Sequence, residues 1–471
     1  MKLTFENPQV SLENIADTED EMYNLMNRIE VGLEDINVLQ AITNRVPKRG
    51  LDASAFKIAR IATESICARL DIPEVTAVAT ESMNNSNIAL EDFVDVLKKV
   101  WDFIIGIIVK LGKTLVKVFG NSKDTVKKDI KRAKDIKSKG KRAKDIKSKG
   151  KKAKNNPAPS VPASATAPAS TTAPDDDGLY LDKSNPRYNK YLQVFSSVGF
   201  QSGAVSEITN NELTSIDVIK YLVSGASDAS KEILKIVESL TDYTTKEALD
   251  DSTTVDDIKA QTDGLLDSID AELMSNVYGI LMTDSFLGVD NIKPEALTAN
   301  GLEADQVDYD KAGELMLTIF GSRVILVNNR IKEKYSYPRA IKINTSYDPS
   351  ATIPALTGPE LDIATDSILD VFNSYATSSD AISASSKSFI TNTNKTAKVI
   401  KRSIESMASY KNIDHDKEAL LNDVYSKLKG LADSSLRFLN ITTIFSVDMA
   451  KQNGVILDYI DDSTGANKGQ G

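Results

Sequence analysis

The chain has 471 residues, 41% of them apolar and 6% aromatic, and carries 57 basic against 67 acidic side chains for a net charge of −10. That length predicts roughly two to four domains, and that apolar content is enough for a folded core. A single Cys (Cys67) and a single His (His415) exclude an intramolecular disulfide, a Cys-rich metal site and a His cluster.

Met1–Pro8 reads as a frayed end, and Met1–Glu13 is neither basic nor continuously apolar, so no signal peptide is read there. A first helix is predicted over Ser11–Asn44. Ile15, Met22, Ile29 and Ile36 recur every seven residues, with Leu25 and Leu39 in the alternate seam, which gives one buried face. VPKRG (Val46–Gly50) breaks it. A second helix fits Asp52–Leu70, with Phe56, Ala59, Ile66 and Leu70 on one side, and Pro73 follows it. A third begins near Ser86. Its apolar face runs through Phe93, Leu97, Val100, Trp101, Ile104, Ile108, Leu111 and Leu115. The uninterrupted apolar core, Phe103–Val109, would rise about 10 Å as a helix, far short of the ~30 Å of bilayer hydrocarbon.

This helix feeds a block of positive charge. Residues 110–154 hold 19 Lys/Arg against four Asp, a local net charge of +15, which leaves −25 for the rest of the chain. Within the block KRAKDIKSKG occurs twice in tandem, at Lys131–Gly140 and Lys141–Gly150. Such segregation points to a polyanionic partner, either nucleic acid or an anionic membrane face. Three readings follow for the third helix and the block: a packed helix with a disordered, nucleic-acid-binding tail; a membrane-active amphipathic helix; or a core helix with a merely solubilising tail. For nucleic acid, the expected phosphate contacts are Lys127, Lys128, Lys131, Arg132, Lys134, Lys137, Lys139, Lys141, Arg142, Lys144, Lys147, Lys149, Lys151, Lys152 and Lys154. No aromatic follows Phe119 within the block, so contact would be to phosphate alone, sequence-independent and salt-sensitive. For a membrane or partner, the face is the set Phe93 to Leu115 named above.

Asn155–Asp177 is built mostly of Pro, Ala, Ser and Thr, without bulky side chains, and cannot offset chain entropy by burial, so it is predicted to be a linker between two folded parts. Gly178 to about Asp461 is again mostly helical in pattern, with long helices predicted over Gly358–Ser374, Ala381–Tyr410 and Asp416–Asn453. RVILVN (Arg323–Asn328) and RAIKIN (Arg339–Asn344) are short β-rich runs and predict a small sheet within the helical domain. Ser463–Gly471 is small and polar and reads as a disordered tail. The expected fold is therefore mainly α. It divides into an N-terminal helical hairpin or bundle (1–119), a basic tandem-repeat arm (120–154), the linker (155–177), a larger α-rich C-terminal domain with an embedded β-sheet (178–462), and the tail (463–471).

Chemistry is mostly lacking. No GxxxxGK[ST], strand-borne GxGxxG or GxSxG occurs. His415, in IDHDK, reads as a polar residue before the last helix, and Cys67 as a buried structural thiol. DQVDYD (Asp305–Asp310) has only part of a Ca²⁺-loop spacing and no Gly. No catalytic residue, metal site or cofactor is expected, and the protein reads as a non-enzyme.

ENIADTEDEMYNLMNRIEVGLEDI (Glu13–Ile36) followed by IALEDFVDVLKKVWDFIIGIIVKLGKTLVKVF (Ile88–Phe119) resembles the internal head proteins of giant tailed bacteriophages. MLTIFGSRVILVN (Met316–Asn328), with Phe-Gly where those chains carry Pro-Gly, resembles their strand turn, and Pro338–Ile343 and Ile353–Glu360 resemble the extended segment before their final helices. The resemblance implies a virion structural protein made in the host cytoplasm and packed inside the capsid. Its implied partners are non-specifically bound double-stranded DNA and other head proteins, with an anionic membrane as a further partner if it is ejected. A prohead scaffold or inner-core role is the alternative. The resemblance also implies trimming by a prohead protease after small-x-Glu, for which Glu81 is the candidate.

Overall fold

The computed structural model describes scattered residues from 24 to 39, then residues 53–70, 86–153, 179–246 apart from 197 and 202, 250, 252–278, 313–319, 322–327, 337, 339–344, 347–409 and 415–466. The expected linker, the frayed end Met1–Pro8, Glu81 and Asp305–Asp310 lie outside the described residues, as do residues 467–471 of the expected tail. Residues 463–466, read as disordered from their small polar side chains, instead complete the last helix, with Ser463 and Thr464 buried. The chain is mainly helical, as the sequence predicts. Its helices are α1 (Ala53–Arg69), α2 (Ser86–Ala153), α3 (Tyr188–Phe195), α4 (Ala204–Lys246), α5 (Val255–Leu273), α6 (Gly358–Ser409), α7 (His415–Thr443) and α8 (Met449–Ala466). Single π-helical turns, Met274–Tyr278 and Ile444–Asp448, continue α5 and join α7 to α8.

Helix starts follow local chemistry. Thr254 and Asp257 form a reciprocal capping box at α5. At α6, Glu360 reaches back to accept from the Thr357 amide and hydroxyl at 2.8 and 2.7 Å. Gly358–Ser409 runs as one helix through the gap predicted between Ser374 and Ala381. TSSDA has no Gly or Pro to stop it, and the buried Ser378 and Ser379 are tolerated on its packed side.

The long helices α2, α4 and α6 lie side by side, α6 in contact with both of the others. Buried side chains form one contiguous cluster from Leu25 to Ile460, with Phe389, Phe438 and Tyr337 packed edge-on or tilted at centroid distances of 5.4–5.6 Å. The N-terminal helices and the C-terminal body therefore share a core. Pro/Ala-rich composition locates a connector but carries no information about whether the parts on either side of it touch.

Gly225 lets two elements approach closely: a Cβ there would lie 1.7 Å from the Asn276 carbonyl oxygen, in the π-turn.

Candidate nucleic-acid interface

The basic stretch is helical. It was expected as an unfolded strip, but α2 runs without interruption from Ser86 to Ala153, 68 residues and so about 100 Å of helix. Lys, Arg and Ala are good helix formers, and no Pro interrupts the run.

Its first half is the apolar face predicted for a membrane or partner. Leu97, Val100, Trp101, Ile104, Ile108, Leu111 and Leu115 are all buried inside the protein. Ile104 is within 3.0 Å of where a Gly32 Cβ would stand, and Ile390 of α6 is at 2.9 Å from the corresponding point on Gly112. The partner of this face is the chain's own body. Phe93 sits on the helix, but its side chain lies outside the described set. Lys401 of α6 adds an ion pair to Asp102 at 2.5 Å. No helix among the described residues is long and apolar enough to cross a membrane.

The second half keeps one face packed. At 100° per residue, Val126, Asp129, Ile130, Ala133 and Ile136 fall on one side of α2. Val126, Ala133 and Ile136 are buried there and Ile130 is partly so. Basic residues flank this seam and pair with acids from distant parts of the sequence. Lys123 reaches Asp380 of α6 at 2.6 Å, and Lys137 pairs with Asp366 of the same helix. Arg132 uses both terminal nitrogens, one on Asp458 at 2.6 Å and one on Asp461 at 3.1 Å, both in α8. Asp458 also faces Arg187 at 3.4 Å. Next to it, Asp462 accepts from Tyr191 and Asn185, each at 2.6 Å. Asp129 is held in this seam. Burial pushes its carboxyl up to about 6, the nearby Asp458 adds to that, and Arg132 opposes it.

The opposite side of the same turns carries Lys127, Lys128, Lys131, Lys134 and Lys139, all exposed. These five positions span about 140° of the helix circumference. Lys127 is 3.6 Å from Asp124, a one-turn surface pair, and Asp135 is the other acid on this side. The fifteen expected phosphate contacts therefore separate. Five lie on the exposed stripe, while Arg132 and Lys137 face the body. Lys141, Arg142, Lys144, Lys147, Lys149, Lys151 and Lys152 stand on helical backbone with side chains outside the described set, and Lys154 lies outside the described residues. Sequence reasoning missed Lys123, Asp366, Asp380, Asp458 and Asp461. It also missed the one usable signal, the 3–4 spacing of Val126, Ile130, Ala133 and Ile136, which continues the face above.

Other candidates hold less. Cys67 is buried, and burial pushes its thiol up, away from reactivity. His415 is the first residue of α7. A cleft of about 330 Å³ lies between the starts of α4 and α6, lined by Phe195, Phe200, Leu356 and Tyr459, with Glu360 already committed to its cap. Among the described residues no group of His, Cys, Asp or Glu could hold a metal ion.

Residues 5–159 match the family model of phiKZ-like phage internal head proteins. The resemblance to giant-phage head proteins is thereby shown over this third of the chain, which includes all of α1 and α2. The likeness read in Met316–Asn328 and the segments after it falls outside the matched residues. No curated protein and no solved structure matches the chain.

Proposed function

We propose that this protein is a non-enzymatic structural component of a phage head interior, and that the exposed lysine stripe of α2 contacts packaged double-stranded DNA through its phosphates. The observation that carries the reading is the placement of Lys127, Lys128, Lys131, Lys134 and Lys139 on one exposed side of a helix whose other side is seated on the body. A seated helix presents its charges in fixed register, so less side-chain and backbone entropy is lost on contact than for an unfolded arm. The family match to internal head proteins supplies the setting, where phosphate is abundant. The second decapeptide extends the same helix. Ten residues on, equivalent side chains stand about 15 Å further along and about 80° round. A straight continuation therefore turns them away from the acids that the first copy meets.

Several finer points belong to the same proposal: synthesis in the host cytoplasm, contact with other head proteins, a linker at 155–177, and a small sheet embedded in the C-terminal body. Membrane action would require Leu97–Leu115 to leave the core, and the burial of that face favours the DNA reading over it. The test is DNA binding against salt for the intact protein and for a variant with the five stripe lysines changed to Gln. Each lost phosphate contact is expected to lower the log–log salt slope by about 0.9, so the variant should lose roughly four to five from the slope, with no sequence preference in either protein. Equal slopes would remove the stripe as the contact surface.

A further inference from the structure

The stretch of α2 with the most charge is also the stretch held to the body by charge. Three of its cations, Lys123, Arg132 and Lys137, are matched by four carboxylates, Asp366 and Asp380 on α6 and Asp458 and Asp461 on α8. The Arg132 guanidinium takes one oxygen from each of two carboxylates, a fork that also suits two oxygens of a phosphate.

The seat is thin. Its apolar part is Val126, Ala133 and Ile136 with a partly covered Ile130, none of them aromatic, against the unbroken aliphatic and aromatic face upstream. The Arg132 fork is the more covered part of the seat, with Asp458 22% exposed, whereas the two lysine pairs are open to water, with Asp380 75% and Asp366 53% exposed. Such pairs contribute about 0–1 kcal/mol each and are screened by salt over about 10 Å. A DNA duplex offers one negative charge per ~1.7 Å and competes for the same cations at far higher density.

We propose that the acidic face of α6 and α8 is an internal stand-in for phosphate, which holds Lys123, Arg132 and Lys137 closed until a polyanion displaces it. The proposal rests on the DNA reading above and deepens it. The stripe makes first contact, and the three latched cations join once the end of α2 lifts. Binding then has two stages with different charge counts, and the body sets the threshold between them.

The experiment compares three full-length proteins for duplex DNA affinity between 50 and 200 mM salt. One is the wild type. One has Asp366, Asp380, Asp458 and Asp461 changed to Asn. The third is a charge-matched control with Asp228, Glu238, Asp256 and Asp263, all exposed and away from α2, changed to Asn or Gln. The unlatched variant is expected to bind more tightly than the control at 50 mM. In a fourth protein, Lys137→Cys and Asp366→Cys are joined by a short bismaleimide in a Cys67→Ala background, so that the end of α2 cannot lift. Lys137 is itself replaced in this protein, so two latched cations, Lys123 and Arg132, are withheld. Its salt slope is expected to be lower than that of the unjoined form by about 1.8, which is roughly a 12-fold smaller loss of affinity over that salt range. Equal slopes for the joined and unjoined forms, or no gain of the unlatched variant over its control, would overturn the latch while leaving the lysine stripe standing. Absence of DNA binding by all four proteins at 50 mM would remove the DNA reading itself.

Discussion

Gln452 donates its side-chain amide to Glu212 across 2.9 Å, and both residues are fully buried between α4 and α8. The neutral amides of Gln452 and Asn453 do not offset the loss of water around a carboxylate, and burial pushes Glu212 up to about 8. Its folded value is raised above its unfolded one, so its contribution to stability is fully present below the ordinary carboxylate range. That contribution is lost as pH rises through about 8. The Glu212→Gln variant is expected to keep the amide contact and to flatten the fall in urea midpoint between pH 5 and 9. A wild-type midpoint that does not fall over that range would show that Glu212 ionises freely in the folded protein. Asp182, Asp250, Asp257 and Asp348 are held below the usual carboxylate range by Ser and Thr donors, so they act only in acid, and the raised Asp129 carboxyl adds its own fall at the lower end of this window.

Asp129 makes a separate and lower transition, which reports on the end of α2. Its raised value of about 6 means that ionisation opposes seating, so the contribution is complete below the ordinary carboxylate range and is lost as pH rises through 6. Amide exchange in Thr125–Lys139, corrected for its intrinsic pH dependence, is expected to be better protected at pH 5 than at pH 7. In Asp129→Asn the difference should shrink. An unchanged pH response in that variant would assign the effect to another group.

Gly225 and Gly264 separate close packing from helix propensity. Both are helical, in α4 and α5, and Ala should raise intrinsic helix stability at each by about 1 kcal/mol. At Gly264 nothing lies within 4 Å of the added Cβ, so Gly264→Ala is expected to stabilise. At Gly225 the added carbon would meet the Asn276 carbonyl oxygen, which is backbone and has no rotamer to yield. Gly225→Ala is expected to destabilise by about 1–3 kcal/mol despite the better propensity. Urea titration of the two variants checks the opposite signs.

What could be read from the sequence was periodic and local. The face from Leu97 to Leu115 shows its 3–4 spacing in the letters themselves, and the structure buries it. What covers that face is not in the spacing, because Ile390 and Lys401 lie nearly 300 residues away. The basic stretch was legible as charge and misjudged as structure. Density of Lys resembles disorder in composition, while the seam of Val126, Ile130, Ala133 and Ile136 is thin enough to be lost among the lysines. Its acidic partners carry no local mark: Asp366, Asp380, Asp458 and Asp461 look like ordinary surface residues of amphipathic helices until folding aligns them with α2.

The tandem decapeptide provides a test that is independent of local propensity. Ile136 and Ile146 have identical neighbours for several residues on either side, so the same substitution changes intrinsic helix propensity equally at both. Ile136 is 4% exposed against the body. Trimming it to Ala should cost the transfer of three carbons and leave a gap in a seat that has few other apolar contacts, about 2 kcal/mol. The copy around Ile146 is turned about 80° from the acids met by the first. Ile136→Ala is therefore expected to accelerate amide exchange throughout Thr125–Lys139 and to lower the salt concentration at which the end of α2 lifts. Ile146→Ala should leave that segment unchanged. Equal loosening by the two variants would mean that the repeats share the seat, and the assignment of the first copy to the body and the second to phosphate would have to be abandoned.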